Sequence, residues 1–163
     1  MFKIGDSIVY GAQGVCKITD IKEENFTSVM REYYIIAPAD NDKSVIYVPV
    51  DNEKLTSRMK SIPTKSELKK ILNDAKHEEL MWNENYLERS EYFQSLINGG
   101  EILLISALFY TLLRKSDELK ESGKSLKKSD ERIYKECTRT LSKTVAYIFG
   151  TDIEKALEIL KSE

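Results

Sequence analysis

Near residue 60 the period of the apolar residues changes, and this change constrains the fold more than anything else in the chain. Before it, four short apolar runs occupy residues 7–10, 14–22, 31–38 and 44–50. Three of the four are rich in Val, Ile and Tyr, side chains that fit a pleated, half-buried surface. Gly5-Asp6, the stretch from Gly11 to Gly14, and Asp40-Asn41-Asp42 separate them. Gly, Asn and Asp tolerate the backbone angles of tight turns. After Pro63 the apolar residues recur at helical spacing. The pattern predicts an α+β protein: a small antiparallel β-barrel over residues 1–60, then an all-helical domain of about five helices over 61–163.

The helical half carries its own punctuation. Thr64, with Glu67 three residues on, is the signature of a capping box, and predicts a helix to about residue 75 with Leu68, Ile71 and Leu72 inward. A second helix is expected over 82–97, stopping at Gly99-Gly100, and a third over 101–121 with Ile102, Ile105, Phe109, Leu112 and Leu113 on one face. A fourth should begin after a Ser129 cap and close at Gly150. A fifth should open on another capping box, Thr151-Asp152-Ile153-Glu154, with Thr151 as the cap, and bury Ile153, Ala156, Leu157 and Leu160.

Composition narrows the function classes. Of the 163 residues one is histidine, His77, and no Cys or Asp cluster lies near it at a metal-ligand spacing. A zinc site needs about four ligands with short local pairings, so no metal or cofactor is expected. Gly11-Ala12-Gln13-Gly14 does not resemble a phosphate-cradling loop, and no catalytic constellation stands out. Cys16 and Cys137 lie far apart, as reduced, buried thiols would. The longest apolar run, 102–109, is too short to span a bilayer, and the first residues lack a signal-peptide pattern. A cytoplasmic, non-enzymatic protein is the expectation.

Charge is distributed unevenly. The formal net charge is −2, yet residues 114–143 hold ten Lys or Arg against six acids, a local excess of +4. Within the fourth helix Lys128, Arg132, Lys135, Arg139 and Lys143 fall in a stripe about 80° wide. A solvated polar face and a face that meets successive phosphates both fit such a stripe. Trp82, at the expected start of the second helix, also has two readings: a core residue, or an outward aromatic that stacks on a base or wedges a base step.

The ordered set Phe2-Lys3-x-Gly5-Asp6, Val9-Tyr10-x-x-x-Gly14-Val15, Glu32-Tyr33-Tyr34, Val48-Pro49-Val50, Trp82-Asn83-x-x-Tyr86 and Leu112-Leu113-Arg114 resembles the CarD/CdnL family of bacterial transcription regulators. The N-terminal part also resembles the RNA-polymerase-interacting domain of transcription-repair coupling factor. The resemblance implies a Tudor-like (SH3-like) barrel that adds its sheet edge to the RNA polymerase β subunit, with Ile35, Tyr47 and Pro49 at the polymerase contacts. It implies a helical domain against promoter DNA at the upstream edge of the transcription bubble. There Trp82 acts as a wedge, with no base sequence read and weak DNA affinity in isolation. Lys128, Arg132, Lys135 and Arg139 join Trp82 as the expected DNA-contacting residues. The implied protein is a monomer, associated with the nucleoid, that modulates open-complex stability. The chain departs from the family's pattern beside the tryptophan, where Glu84 and Asn85 stand in place of an arginine pair. Those departures keep a second reading open, a polymerase-binding adaptor with little DNA contact that recruits another protein.

Overall fold

The structure, a computed structural model, describes residues 1–41 and 43–162. Asp42, the last residue of the expected 40–42 turn, lies outside the described residues. Five strands form one antiparallel sheet: β1 (Ser7–Tyr10), β2 (Val15–Glu24), β3 (Arg31–Pro38), β4 (Ile46–Pro49) and β5 (Met59–Ser61), in the order β4-β3-β2-β1-β5. The α+β class is as expected, but the sheet is open and not a closed barrel. Its end strands, β4 with four residues and β5 with three, do not pair. β5 was not expected from the sequence. Met59-Lys60-Ser61 has no legible alternation, and only its pairing with β1, from Ile8↔Ser61 to Tyr10↔Met59, makes it a strand.

Alternation along β1 divides the interior. Ile8 points into a core made by the sheet itself, with Cys16, Ile18, Tyr34, Ile36, Val48 and Met59. Val9, on the opposite face, joins the helical core. In β2 a bulge between Ile18 and Asp20 shifts the register against β3, and the Thr19 hydroxyl donates to the Ile35 carbonyl at 3.1 Å. An extra residue of this kind bends a strand and increases its twist.

Among the described residues there are six α-helices: α1 (Glu53–Thr56), between β4 and β5, and after the sheet α2 (Lys65–His77), α3 (Tyr86–Gly99), α4 (Ile102–Glu121), α5 (Lys128–Phe149) and α6 (Ile153–Lys161). The Thr64 capping box is present. The Thr64 amide donates to the Glu67 carboxylate at 2.7 Å, and the Glu67 amide to the Thr64 hydroxyl at 3.2 Å. α4 lies at the centre of the bundle, against α2, α3 and α5. Phe93, Ile105, Phe109, Leu112, Ile133 and Leu141 are fully buried around it. Burying each such side chain contributes roughly 1.5–3 kcal/mol.

Three helix starts differ from expectation. α3 begins at Tyr86 and not at residue 82, because the Asn85 side chain accepts from the amides of Leu87 and Glu88 at 3.0 and 3.3 Å. That cap leaves Trp82 in the preceding connector. α5 begins at Lys128, so Ser129 lies inside the helix and does not cap it. In α6 the cap is Asp152, which accepts from the Lys155 amide at 2.8 Å, and Ile153 is 44% exposed where a buried residue was expected.

Sheet and helices meet backbone to backbone. After β1 the chain makes a single 3-10 turn, Gly11–Gln13. Gly11 has φ +46°, and a Cβ there would lie 2.9 Å from the Asn98 carbonyl oxygen. Gly100, past the end of α3, has φ +74°, and a Cβ there would lie 2.8 Å from the Arg58 carbonyl oxygen and 3.0 Å from the Gly11 nitrogen. Around this contact Thr140 Oγ1 donates to the Ala12 carbonyl at 3.3 Å, and the Ser7 and Tyr147 hydroxyls hydrogen-bond at 3.0 Å. Lys60–Glu101 and Lys143–Asp40 add ion pairs at 3.2 and 2.5 Å.

Candidate functional site

The first candidate surface is the outer face of β3 and β4. Opposed residues of an antiparallel pair point to the same face. The register Tyr33↔Pro49 and Ile35↔Tyr47 therefore gathers these four side chains together. Phe26, from the loop joining β2 to β3, closes over them. Its ring centroid is 5.3 Å from Tyr33 and 4.9 Å from Tyr47, both edge-on. Phe26 is 57% exposed and Tyr47 is 41% exposed, and Val29, Met30 and Val45 are exposed nearby in the chain. Ile35, by contrast, is 6% exposed. It lies under Tyr47 and supports this face from below. Pro49 is half-buried at the end of β4.

β4 is also a sheet edge. Among the described residues no strand pairs with its outer side. Natural edge strands are usually guarded by charge, but Ile46-Tyr47-Val48-Pro49 contains none. An unpaired, uncharged edge beside exposed aromatic rings is the geometry that accepts a further strand.

The second surface centres on Trp82. The indole is half-buried against the helical core, with its ring 5.9 Å from Phe93. Cations surround it. The Arg89 guanidinium carbon is 4.3 Å from the ring centroid and the Lys115 ammonium 5.1 Å from it. Close by, Tyr86 is exposed and carries the Lys127 ammonium 5.2 Å from its ring. Met81 and Leu87 are exposed too. The indole thus stands between a core residue and a wedge fully open to solvent.

The α5 cations are only partly available. Lys135 pairs with Glu131 at 3.3 Å, and Lys143 pairs with Asp40 on the sheet side. The Lys143 ammonium holds the Asp40 carboxyl below the usual carboxylate range, with Arg139 assisting. Among the described residues Lys128, Arg132 and Arg139 make no ion pair, and all three are exposed. The helix carries Ile133, Cys137 and Leu141 on its buried side, and this holds the cations outward.

Phe26, Tyr86, Lys115 and Lys127 complete these surfaces and were not singled out in the sequence. Tyr86 lay within a quoted motif, and Lys115 and Lys127 within the basic window, so each left a trace. Phe26 left only an aromatic residue in a polar turn, Asn25-Phe26-Thr27-Ser28.

Among the described residues no three His, Cys, Asp or Glu side chains stand together as a metal site, and no helix is long and apolar enough to cross a membrane. Cys16 and Cys137 are free and buried, and burial pushes the Cys16 thiol up to about 12 and Cys137 in the same direction. Such thiols are poor nucleophiles.

Comparison with known proteins coincides with the first surface. Residues 2–61 match the CarD-like/TRCF RID domain, a span that covers the whole sheet. A Bacillus subtilis (strain 168) protein named "Putative transcription factor YdeB" is 28% identical over 109 residues, covering 63% of this chain and 70% of that protein. What the comparisons show is a match to the CarD-like/TRCF RID domain over residues 2–61, with a more distant likeness to one transcription-factor-like protein.

Proposed function

We propose that the protein is a non-enzymatic transcription regulator that docks on the β subunit of RNA polymerase through the β4 edge. From there it presents the Trp82 surface and the α5 cations to promoter DNA at the upstream edge of the bubble, and so modulates the lifetime of the open complex. It acts as a monomer in the cytoplasm, associated with the nucleoid. One observation carries the reading. The matched domain, residues 2–61, contains an unpaired and uncharged strand edge flanked by the Phe26, Tyr33 and Tyr47 rings. Backbone pairing along β4 supplies affinity, and the rings beside it select the partner.

The test uses the full chain and the purified lobe of the β subunit. Tyr47→Ala or Pro49→Arg should weaken binding at least tenfold, about 1.4 kcal/mol, a modest effect for a central interface residue. Trp82→Ala should leave that affinity unchanged. Wild-type protein that fails to bind the lobe at high micromolar concentration would sink the proposal.

A second reading has its own support. Lys135 and Lys143 are already paired with acids, and Glu84 is exposed beside Trp82. These features favour an adaptor that binds polymerase and recruits a protein while touching DNA little. Salt separates the two, because phosphate contacts release counterions and give the affinity a steep salt dependence. An adaptor gives no measurable slope.

A further inference from the structure

Arg89 is the most completely engaged charged side chain among the described residues, and the polymerase and DNA contacts proposed above make no use of it. It lies on α3 with only 2% of its surface exposed, and its partner Asp130, in the first turn of α5, is equally buried. The two form a forked pair, Nε to Oδ1 at 2.9 Å and Nη2 to Oδ2 at 2.7 Å. The remaining Nη1 donates to the Asn83 carbonyl oxygen at 2.6 Å, and the guanidinium lies 4.3 Å from the Trp82 ring centroid. A buried ion pair seldom stabilises a fold more than apolar residues of the same volume would, so stability does not account for this one. What the fork does is geometric. It ties the connector that bears Trp82 to two helices at once, and a planar guanidinium stacks on an aromatic face where an ammonium would not.

We infer that the Arg89–Asp130 pair is a positioning device for Trp82, fixing the indole relative to the start of α5 so that Trp82 and the cations Lys127 and Lys128 form one surface. Asn83 completes the device. Its side chain accepts from the Asn85 amide at 2.9 Å and donates to Glu88 at 2.7 Å, so the connector is braced on both sides of the carbonyl that Arg89 holds. The functional side of this inference rests on the reading that Trp82 meets DNA; the positioning itself does not.

Trp82 is the only tryptophan, so its fluorescence reports on this site alone. Three variants of the full chain test the device: Arg89→Lys, which keeps the charge and loses the fork; Asp130→Asn, close to isosteric; and the double change Arg89→Met with Asp130→Leu, which leaves no unpaired buried charge. Any variant that unfolds cooperatively decides the matter. Acrylamide quenching of Trp82 under native conditions should rise about twofold, with a red-shifted emission maximum, as the indole loses the guanidinium from its face. Folded variants with wild-type quenching and emission overturn the inference. A parallel open-complex decay assay with cognate polymerase separates the two claims. If quenching rises and the variants move the lifetime at least half as far as Trp82→Ala does, both stand. If quenching rises while Trp82→Ala leaves the lifetime untouched, positioning stands and the DNA reading falls. If Trp82→Ala changes the lifetime and the quenching-shifted variants do not, the pair has no positioning role in function.

Discussion

Gly99 and Gly100 are neighbours, yet alanine at the two positions should change stability in opposite directions. Gly99 is the last residue of α3, its φ is not positive, and a Cβ there meets nothing within 4 Å. Gly99→Ala removes backbone freedom from the unfolded chain without strain and should stabilise by roughly 0.5–1 kcal/mol. Gly100 has φ +74°, where a side chain costs about 1–2 kcal/mol on conformation alone. Its Cβ would lie 2.8 Å from the Arg58 carbonyl oxygen and 3.0 Å from the Gly11 nitrogen, both backbone atoms of the sheet half. Neither atom can swing aside as a side-chain tip could, so the junction must open. Overpacking of that kind adds roughly 1–3 kcal/mol, for a total of about 2–5 kcal/mol. Gly150 is the internal control. It has φ +63° and open space around the added carbon, so Gly150→Ala should cost only the conformational part, about 1–2 kcal/mol. Urea unfolding followed by circular dichroism gives all three values from the midpoint and slope. If Gly100→Ala costs no more than Gly150→Ala, the close approach of the two backbones is wrong, and with it the direct seating of the sheet on α3.

Trp82→Ala should cost about 2 kcal/mol, roughly half of what truncating a fully buried tryptophan costs, because the ring is half-buried against Phe93; a melting curve measures it, and an unchanged midpoint would mean the indole stands free. Asp152→Ala should lose about 1 kcal/mol through the Lys155 amide it leaves unpaired, whereas Thr151→Ala, the cap expected from the sequence, should lose much less in the same urea titration. Thiol reagent at neutral pH should label neither cysteine in the native protein and both after denaturation. Burial raises the folded-state value of Cys16 above that of a free thiol, so its contribution to stability is intact below a pH of about 8.5 and is lost as pH climbs toward the folded value. Binding of the isolated protein to duplex DNA should be micromolar or weaker and indifferent to sequence, and it should fall steeply with salt in an anisotropy titration; tight binding to one sequence against scrambled competitor would refute it.

Much of this molecule is local in origin, and that part was legible. The Thr64–Glu67 box acts within one turn, and the apolar stripes of α4 and α5 record their own buried faces, so those helices could be read residue by residue. β1 and β3 likewise show as runs rich in Val, Ile and Tyr bounded by turn residues. Where two local signals competed, one side-chain cap prevailed: Asp152 over Thr151 at the start of α6, and Asn85 over a start at Trp82 for α3. β5 lay beyond this kind of reading, because three residues become a strand only when β1 is already beside them. So did the aromatic face, which joins Phe26 in a loop to Tyr33 and Tyr47 on separate strands through the β3–β4 register. Arg89 and Asp130 are 41 positions apart, and Lys143 and Asp40 more than twice that. Each of these charges reads from sequence as a solvated surface residue. Pairing of Arg89 with Asp130 depends on how α3 crosses α5, which the packing of Phe93, Phe109 and Ile133 sets, and pairing of Lys143 with Asp40 depends on where α5 meets the turn after β3. A periodic pattern specifies which face of an element is buried but carries no record of the partner that buries it, so the elements could be written down from the chain while the surfaces built across them could not.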